Sequence, residues 1–243
     1  MSWSITPLNL GWLRHRPKEA ITFQHGRGEF VDLACFAWLL RDGERTILVD
    51  LGPDSTEHAA RIHKVALEKT AEHDLVDLLA AHGVDAKTLT DVVLTHLHWD
   101  HIGGLPLLPN ATFLVQDIEL RYGVYPPAFD HRVYEFTTGA PFLPFIRRMK
   151  VVSGRHEIAP GLTAILTPGH SPGHQSLLVE GKGVTYLLAG DYIDLDENWD
   201  KRIPSGPTPD VDAWHRTYDE LAQLDVVMLP GHDGRVLERE VYD

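Results

Sequence analysis

Between His96 and His101 the chain reads His-x-His-x-Asp-His, within the stretch THLHWDHIGG at residues 95–104. Imidazole nitrogen and carboxylate oxygen are donors that borderline and hard divalent ions accept, zinc first, with iron, manganese or cobalt as alternatives. Shuffling this composition would produce that pattern in only ~0.5% of chains, so coincidence is a poor account of it. His96 and His98, at i and i+2 on a tight loop, can reach one ion, and Asp100 with His101 then point to a second. Three further candidates, His170, Asp191 and His232, each follow a glycine at the close of a short apolar run. A single tetrahedral ion cannot use all these groups, so two metal ions are expected.

Those groups need elements that bring them together. VVLT precedes His96, AILTPG precedes His170, YLLAG precedes Asp191 and VVMLPG precedes His232. Short runs rich in Val, Ile and Leu and closed by Gly or Pro read as buried strands. Four strand ends can thus deliver polar groups to one edge of a sheet core, with Gly169, Gly190 and Gly231 allowing sharp turns or close backbone approach. Further strands are predicted at 46–50, 112–116 and 176–180. An interrupted helical pattern covers 57–82. A second helix is predicted over 209–222, where Val211, Trp214, Tyr218 and Leu221 share a face, with Thr208 as N-cap and Pro209 in the first turn. Strands outnumber helices, which favours an α+β class, two sheets face to face with outer helices, over a doubly wound parallel sheet. Residues 122–148, rich in aromatics and prolines, are expected to form a lid or pocket wall, or else an irregular crossover packed on the core.

Composition sets the outer bounds. The 243 residues, 43% hydrophobic, can bury a sizeable core, and one domain over 1–243 is expected. A formal net charge of −13 repels phosphate backbones, so nucleic acid is not an expected partner. No apolar run is long enough to span a membrane, and the N-terminus lacks the basic-then-apolar order of a signal peptide, so a cytoplasmic location is expected. The single cysteine, Cys35, lies in the apolar run LACFAWLL and reads as a buried structural thiol; thiolate-rich metal sites are excluded. His15, His25, His58, His63, His73, His82, His131, His156 and His215 are expected to be ordinary core or surface histidines. His174, in PGHSPGHQ, is expected to support the site rather than bind metal.

The motifs THLHWDHIGG, LTPGHSPGHQSLLVE, LLAGD and PGHD, in that order and spacing, resemble those of the metallo-β-lactamase superfamily across roughly residues 30–240. Within it the chain is most similar to the N-acyl homoserine lactonases, to which TPGHSPGHQSL is closest. The resemblance implies an αβ/βα four-layer sandwich with a dinuclear site at one edge. It implies that His96, His98 and His170 bind the first metal, that Asp100, His101 and His232 bind the second, and that Asp191 bridges. Asp50, in LVDLG, would orient a ligand from behind, although Leu51 follows it where many relatives have a small polar residue. The implied reaction is metal-assisted hydrolysis of a lactone ester, with Asp100 carrying a proton to the leaving group. The partner is then a small-molecule lactone or ester, acted on by a monomer or homodimer.

One position departs from that pattern. The lactonases carry a tyrosine three residues after the bridging aspartate, where this chain has Asp194 in GDYIDLDENW. Tyr192 is the nearest replacement as a catalytic hydrogen-bond donor, with a packing role as the equal alternative. Asp194 is expected to point away from the reacting carbonyl or to meet a different substrate group. Trp99, Tyr125, Phe129, Phe142 and Phe145 are candidate walls for an acyl chain. Asp191 disfavours the cysteine-using zinc β-lactamases, the short stretch after His232 disfavours a glyoxalase-type thioesterase, and the length leaves no room for a flavodoxin domain. A hydrolase of another lactone, ester or cyclic amide is the alternative. A non-catalytic metal-binding module is the third reading, disfavoured because structural zinc sites are usually closed and often thiolate-built.

Overall fold

The computed structural model describes residues 2–243. β1 (Ser4–Pro17) pairs antiparallel with β2 (Phe30–Arg41), Ile5 opposite Leu40 and Leu8 opposite Ala37. Along β2, Ala34, Phe36, Trp38 and Leu40 enter one apolar cluster while Ala37 and Leu39 enter another. Both faces are covered, so LACFAWLL shows no polar alternation. β3 (Thr46–Val49), β4 (Ala66–Glu68), β5 (Asp91–Val93), β6 (Thr112–Gln116) and β7 (Met149–Val152) complete a seven-stranded sheet. Its order is β4-β1-β2-β3-β5-β6-β7, and β3, β5, β6 and β7 run parallel. β8 (His156–Ala159), β9 (Leu162–Leu166), β10 (Gln175–Glu180), β11 (Thr185–Leu188) and β12 (Val227–Leu229) form a five-stranded sheet ordered β12-β11-β10-β9-β8.

The helices are short: α1 (Thr56–His58), α2 (Leu75–Ala81), α3 (Trp99–Ile102), α4 (Asp117–Val124), α5 (Asp196–Asp200) and α6 (Val211–Leu221). Between the sheets, Phe36, Trp38 and Val49 share a core with Leu177, Val179 and Leu188. On the outer face of the larger sheet, Leu39, Leu48 and Phe113 meet Leu75 and Leu79 of α2. On the outer face of the smaller sheet, Ile165 and Leu187 meet Trp214 and Leu221 of α6. Helix, sheet, sheet and helix are the four layers of an αβ/βα sandwich. Among the described residues no helix is long and apolar enough to cross a membrane.

Several local expectations need correction. The pattern over 57–82 is split by a strand: α1 runs into a π turn at Ala59–His63, β4 follows, and α2 starts only at Leu75. Leu67 of β4 pairs with Leu13 and is buried with Leu33 and Cys35, so tertiary pairing overrides the helical period. The N-cap of α6 is Asp210, not Thr208. The Asp210 carboxylate accepts from the Ala213 N–H at 2.8 Å, whereas the Thr208 hydroxyl donates to the Ser205 carbonyl at 2.7 Å. Residues 122–148 pack on the core as a crossover of 3-10 turns anchored by the fully buried Tyr134 and Phe142, while Arg132 and Val133 of the same segment line a cleft.

Candidate metal centre

The carboxyl ends of β3 and β5 in one sheet and of β9, β11 and β12 in the other open on a common edge. β5 leads through Thr95 into His96, and His98 is the extended residue that caps α3, leaving Asp100 and His101 in its single turn. β9 leads to His170, β11 to Asp191 and β12 to His232. Two of the glycines noted in the sequence are forced by contact. Gly190 sits at φ +56°, where an added Cβ would lie 2.6 Å from His174 Nε2, and a Cβ on Gly231 would lie 2.5 Å from the Gly190 carbonyl oxygen. Only backbone without side chains lets these two ligand-bearing turns touch.

The seven predicted ligands meet at this edge. His170 Nε2 stands 2.9 Å from His98 Nδ1 and 3.2 Å from His96 Nε2. Burial holds His96 and His98 well below the ordinary histidine value and His170 at about 4, so at neutral pH these imidazoles are uncharged and each has one nitrogen lone pair to offer a cation. Ligand atoms around a tetrahedral ion at ~2.0–2.1 Å are ~3.3 Å apart, close to the spacing seen here. Asp191 faces two ways. Its Oδ2 is 3.5 Å from His170 Nε2 and 3.9 Å from His96 Nε2, and its Oδ1 is 3.0 Å from His101 Nε2 and 3.2 Å from His232 Nε2. Asp100, His101 and His232 offer donor atoms within 4.8 Å of one another.

The electrostatics follow. Burial opposes ionisation of Asp191, but His101 and His232 outweigh it and hold its carboxyl well below the carboxylate range. Burial likewise opposes charge on His101 and His232, and Asp191 outweighs it, holding both well above the ordinary value. His101 Nε2 and Asp191 Oδ1 are nevertheless buried without a well-formed hydrogen bond. Orphaned polar atoms converging on one space, all nitrogen and oxygen, fit divalent cations.

The partners behind these groups fix their rings. Asp50 adopts φ +58° and accepts from the Thr95 N–H at 2.8 Å, the Thr95 hydroxyl at 2.7 Å and His101 Nδ1–H at 2.9 Å, which turns His101 Nε2 inward. His232 Nδ1–H donates to the Ala34 carbonyl at 2.7 Å with the same effect. His174 is buried behind His96 and His170, its Nδ1 paired with the Thr167 hydroxyl at 2.8 Å. Glu119 is a residue that sequence reasoning missed. Its carboxylate accepts from the Leu97 N–H (3.0 Å), the Tyr134 hydroxyl (2.7 Å), the Ser171 hydroxyl (2.6 Å) and the Gly173 N–H (3.2 Å). It ties the loop of His96 and His98 to that of His170.

The sequence matches the profile of the metallo-beta-lactamase superfamily over residues 31–232, a span enclosing all seven of these groups. The chain belongs to the metallo-beta-lactamase superfamily. This superfamily member is 30% identical over 218 residues to an N-acyl homoserine lactonase of Bacillus thuringiensis, covering 85% of this chain and 84% of the relative. It is 34% identical over 170 residues to an N-acyl homoserine lactonase of Rhizobium radiobacter, covering 65% and 63%. An N-acyl homoserine lactone hydrolase solved with the product N-hexanoyl-L-homoserine at its catalytic metal centre superposes with a TM-score of 0.81 at 23% identity, covering 98% of this chain and 96% of that one. A dizinc quorum-quenching lactonase superposes at 0.74 with 18% identity, covering 96% and 88%. Both share the sandwich fold.

In this superfamily member a cleft of about 110 Å³ opens over the ligand cluster. A larger groove of about 900 Å³, lined by Arg41, His82 and Thr90, holds none of the chemistry. Leu13, Ile21, Leu33, Trp99 and Val133 give the cleft an apolar wall, and Arg16 and Arg132 add positive charge. Of the predicted pocket aromatics only Trp99 lines it. Phe142 and Phe145 pack on the outer core of the larger sheet, and Tyr125 and Phe129 stand 80% and 68% exposed outside the cleft lining. Tyr192 is not a cleft residue either: its hydroxyl donates to the Trp214 carbonyl at 2.8 Å and its ring stacks on that indole, within the outer core of the smaller sheet. Asp194 does the opposite of pointing away. It is buried on the cleft wall, with a carboxylate oxygen within 4.8 Å of the donor atoms of Asp191 and His232. Burial and the neighbouring Asp191 push its carboxyl well above the carboxylate range. His58 and His63 are the satisfied histidines expected: both pair with Oε1 of Glu135, His63 at 2.7 Å, and His63 stacks on Trp99 with ring centroids 4.0 Å apart.

Proposed function

We propose that this chain is a dinuclear metal-dependent hydrolase that opens the lactone ring of N-acyl homoserine lactones. The observation that carries the reading is Asp191, one carboxylate whose two oxygens turn to two separate histidine groups. In this reading His96, His98 and His170 would hold the first ion, Asp100, His101 and His232 the second, and Asp191 would bridge, with zinc the first candidate and iron, manganese or cobalt the alternatives. Two divalent ions bound there would supply a water acidified toward neutral pH and polarise the carbonyl to be cleaved. Asp100, at the cleft surface, carries a proton to the departing alkoxide oxygen. Asp50 keeps His101 in its binding tautomer. The apolar wall around Trp99 takes the acyl chain and excludes water from the scissile bond. The lactonase relatives from Bacillus thuringiensis and Rhizobium radiobacter support the substrate class.

We read residues 1–243 as one hydrolase domain working as a monomer or homodimer. The single, buried Cys35 suits the reducing conditions of a cytoplasmic location. A second reading, hydrolysis of another lactone, ester or cyclic amide, is favoured by Asp194 on the cleft wall and by Arg16, whose buried Nε has no partner. The test measures metal content and turnover in the same samples across a panel of acyl homoserine lactones, other lactones and esters. Wild type should hold two equivalents and open the ring, and Asp191→Asn should lose metal and turnover by orders of magnitude. Two equivalents of metal with no hydrolysis of any panel member would reduce the protein to a binding module.

A further inference from the structure

The carboxylate of Asp194 is accounted for neither by the ligand set above nor by a hydrogen bond. The residue is 3% exposed, and its Oδ1 is buried without a partner. Its backbone is held in place: the His232 N–H donates to the Asp194 carbonyl at 2.9 Å and the Gly231 N–H to the Ile193 carbonyl at 2.8 Å. That pairing lays residues 193–194 along the turn that carries His232. The side chain shares the cleft with Asp191 and His232, and the donor atoms of the three lie within 4.8 Å of one another. Among the described residues, no lysine or arginine forms an ion pair with Asp191 or Asp194. Two carboxylates brought together out of water are costly unless a cation lies between them.

We propose that Asp194 is a ligand of the second ion, joining Asp100, His101, Asp191 and His232. The inference rests on the dinuclear reading above and deepens it. The second site then offers three carboxylates and two imidazoles, more protein donors than a tetrahedral zinc ion takes. Oxygen-rich donor sets suit harder ions such as Mn²⁺, whereas the three imidazoles of His96, His98 and His170 suit Zn²⁺. The two sites therefore differ in the metal they prefer, and Asp194 is the residue that sets the difference.

The test titrates metal-depleted full-length protein with Mn²⁺ and, separately, with Zn²⁺ by calorimetry, in wild type and in the near-isosteric Asp194→Asn. Wild type should take two equivalents. The variant should keep its first Zn²⁺ equivalent, which reports an intact fold. It should lose second-site Mn²⁺ affinity by at least the ~10–100-fold that removal of even an outer partner costs, and second-site Zn²⁺ affinity by less. Unchanged second-equivalent affinities for both ions would overturn the role of Asp194 while leaving the dinuclear reading standing; a wild type that binds one equivalent would overturn both. Visible absorption of the Co²⁺-loaded wild type decides the matter even if the variant fails to fold. Weak bands of a five- or six-coordinate ion at the second site support the proposal, and two intense four-coordinate spectra overturn it.

Discussion

Glu119→Ala tests whether the ligand loops are held together by one buried carboxylate. The substitution strands the Leu97 and Gly173 N–H groups, which donate to Glu119 at 3.0 and 3.2 Å. A buried donor left unpaired costs ~1–3 kcal/mol, so these two alone suggest ~2–6 kcal/mol. The hydroxyls of Tyr134 and Ser171 can rotate, and water can enter the vacated space, so they add little. Glu119 itself is buried, which raises its pKa, and losing that strained charge returns part of the cost. A net loss of ~2–4 kcal/mol remains. In a chain of this size that is ~5–15 °C in Tm. Scanning calorimetry at neutral pH, with chelator present so that bound metal does not mask the change, reads the shift directly. Reloaded protein should also retain its ions more weakly, because His96, His98 and His170 sit on the two loops that Glu119 joins. A metal-free variant melting within ~1 °C of wild type would refute the reasoning.

Tyr192→Phe should leave kcat and KM on the lactone unchanged while lowering Tm by ~2–4 °C, the share of one lost hydrogen bond of ~1 kcal/mol; a tenfold fall in kcat would return Tyr192 to the cleft. Glu135→Gln should destabilise the chelated protein at pH 7 but not in acid. Burial alone would raise the Glu135 carboxyl, but bonds from His63 and His58 outweigh it and hold it below the ordinary value. An acid depressed on folding contributes stability that is complete above its unfolded value near 4.5 and is lost as pH falls through the lower folded value. The gap in Tm between wild type and variant should therefore narrow as pH falls below the unfolded value and close as it passes through the lower folded one, and a gap of constant size down that range would contradict the assignment.

The seven grouped side chains were legible because each carries its context locally: His96, His98, Asp100 and His101 crowd one short stretch after an apolar run, and His170, Asp191 and His232 each follow an apolar run closed by a glycine. Glu119 carries no such mark. Its partners Leu97, Ser171 and Gly173 lie 22, 52 and 54 residues away, and nothing in QDIEL announces them. The same distance hides Glu135 from His58 and His63, separated by 77 and 72 residues. β2 went unpredicted because LACFAWLL, covered on both faces, has no alternation to tell a strand from a buried helix, and without it β1 had no partner to reveal it. The exchange of roles between Tyr192 and Asp194 is a backbone effect. A 3-10 turn at Gly190–Tyr192 sends the tyrosine back into the outer core, and the extended Ile193 that follows, at φ −133° and ψ 102°, delivers Asp194 to the cleft. Spacing alone does not reveal where such a turn ends.

His96, His98 and His101 hang from one sheet, and His170, Asp191 and His232 from the other. Whatever cation sits among them clasps the two halves of the sandwich as a rivet clasps two plates. Stripping it would leave the halves joined by the inner apolar layer and a few cross-links such as the 2.9 Å bond from Gln116 to Gln175. Endurance against heat and proteolysis would then track ion loading as closely as turnover does, because ligand binding to the native state is itself folding free energy.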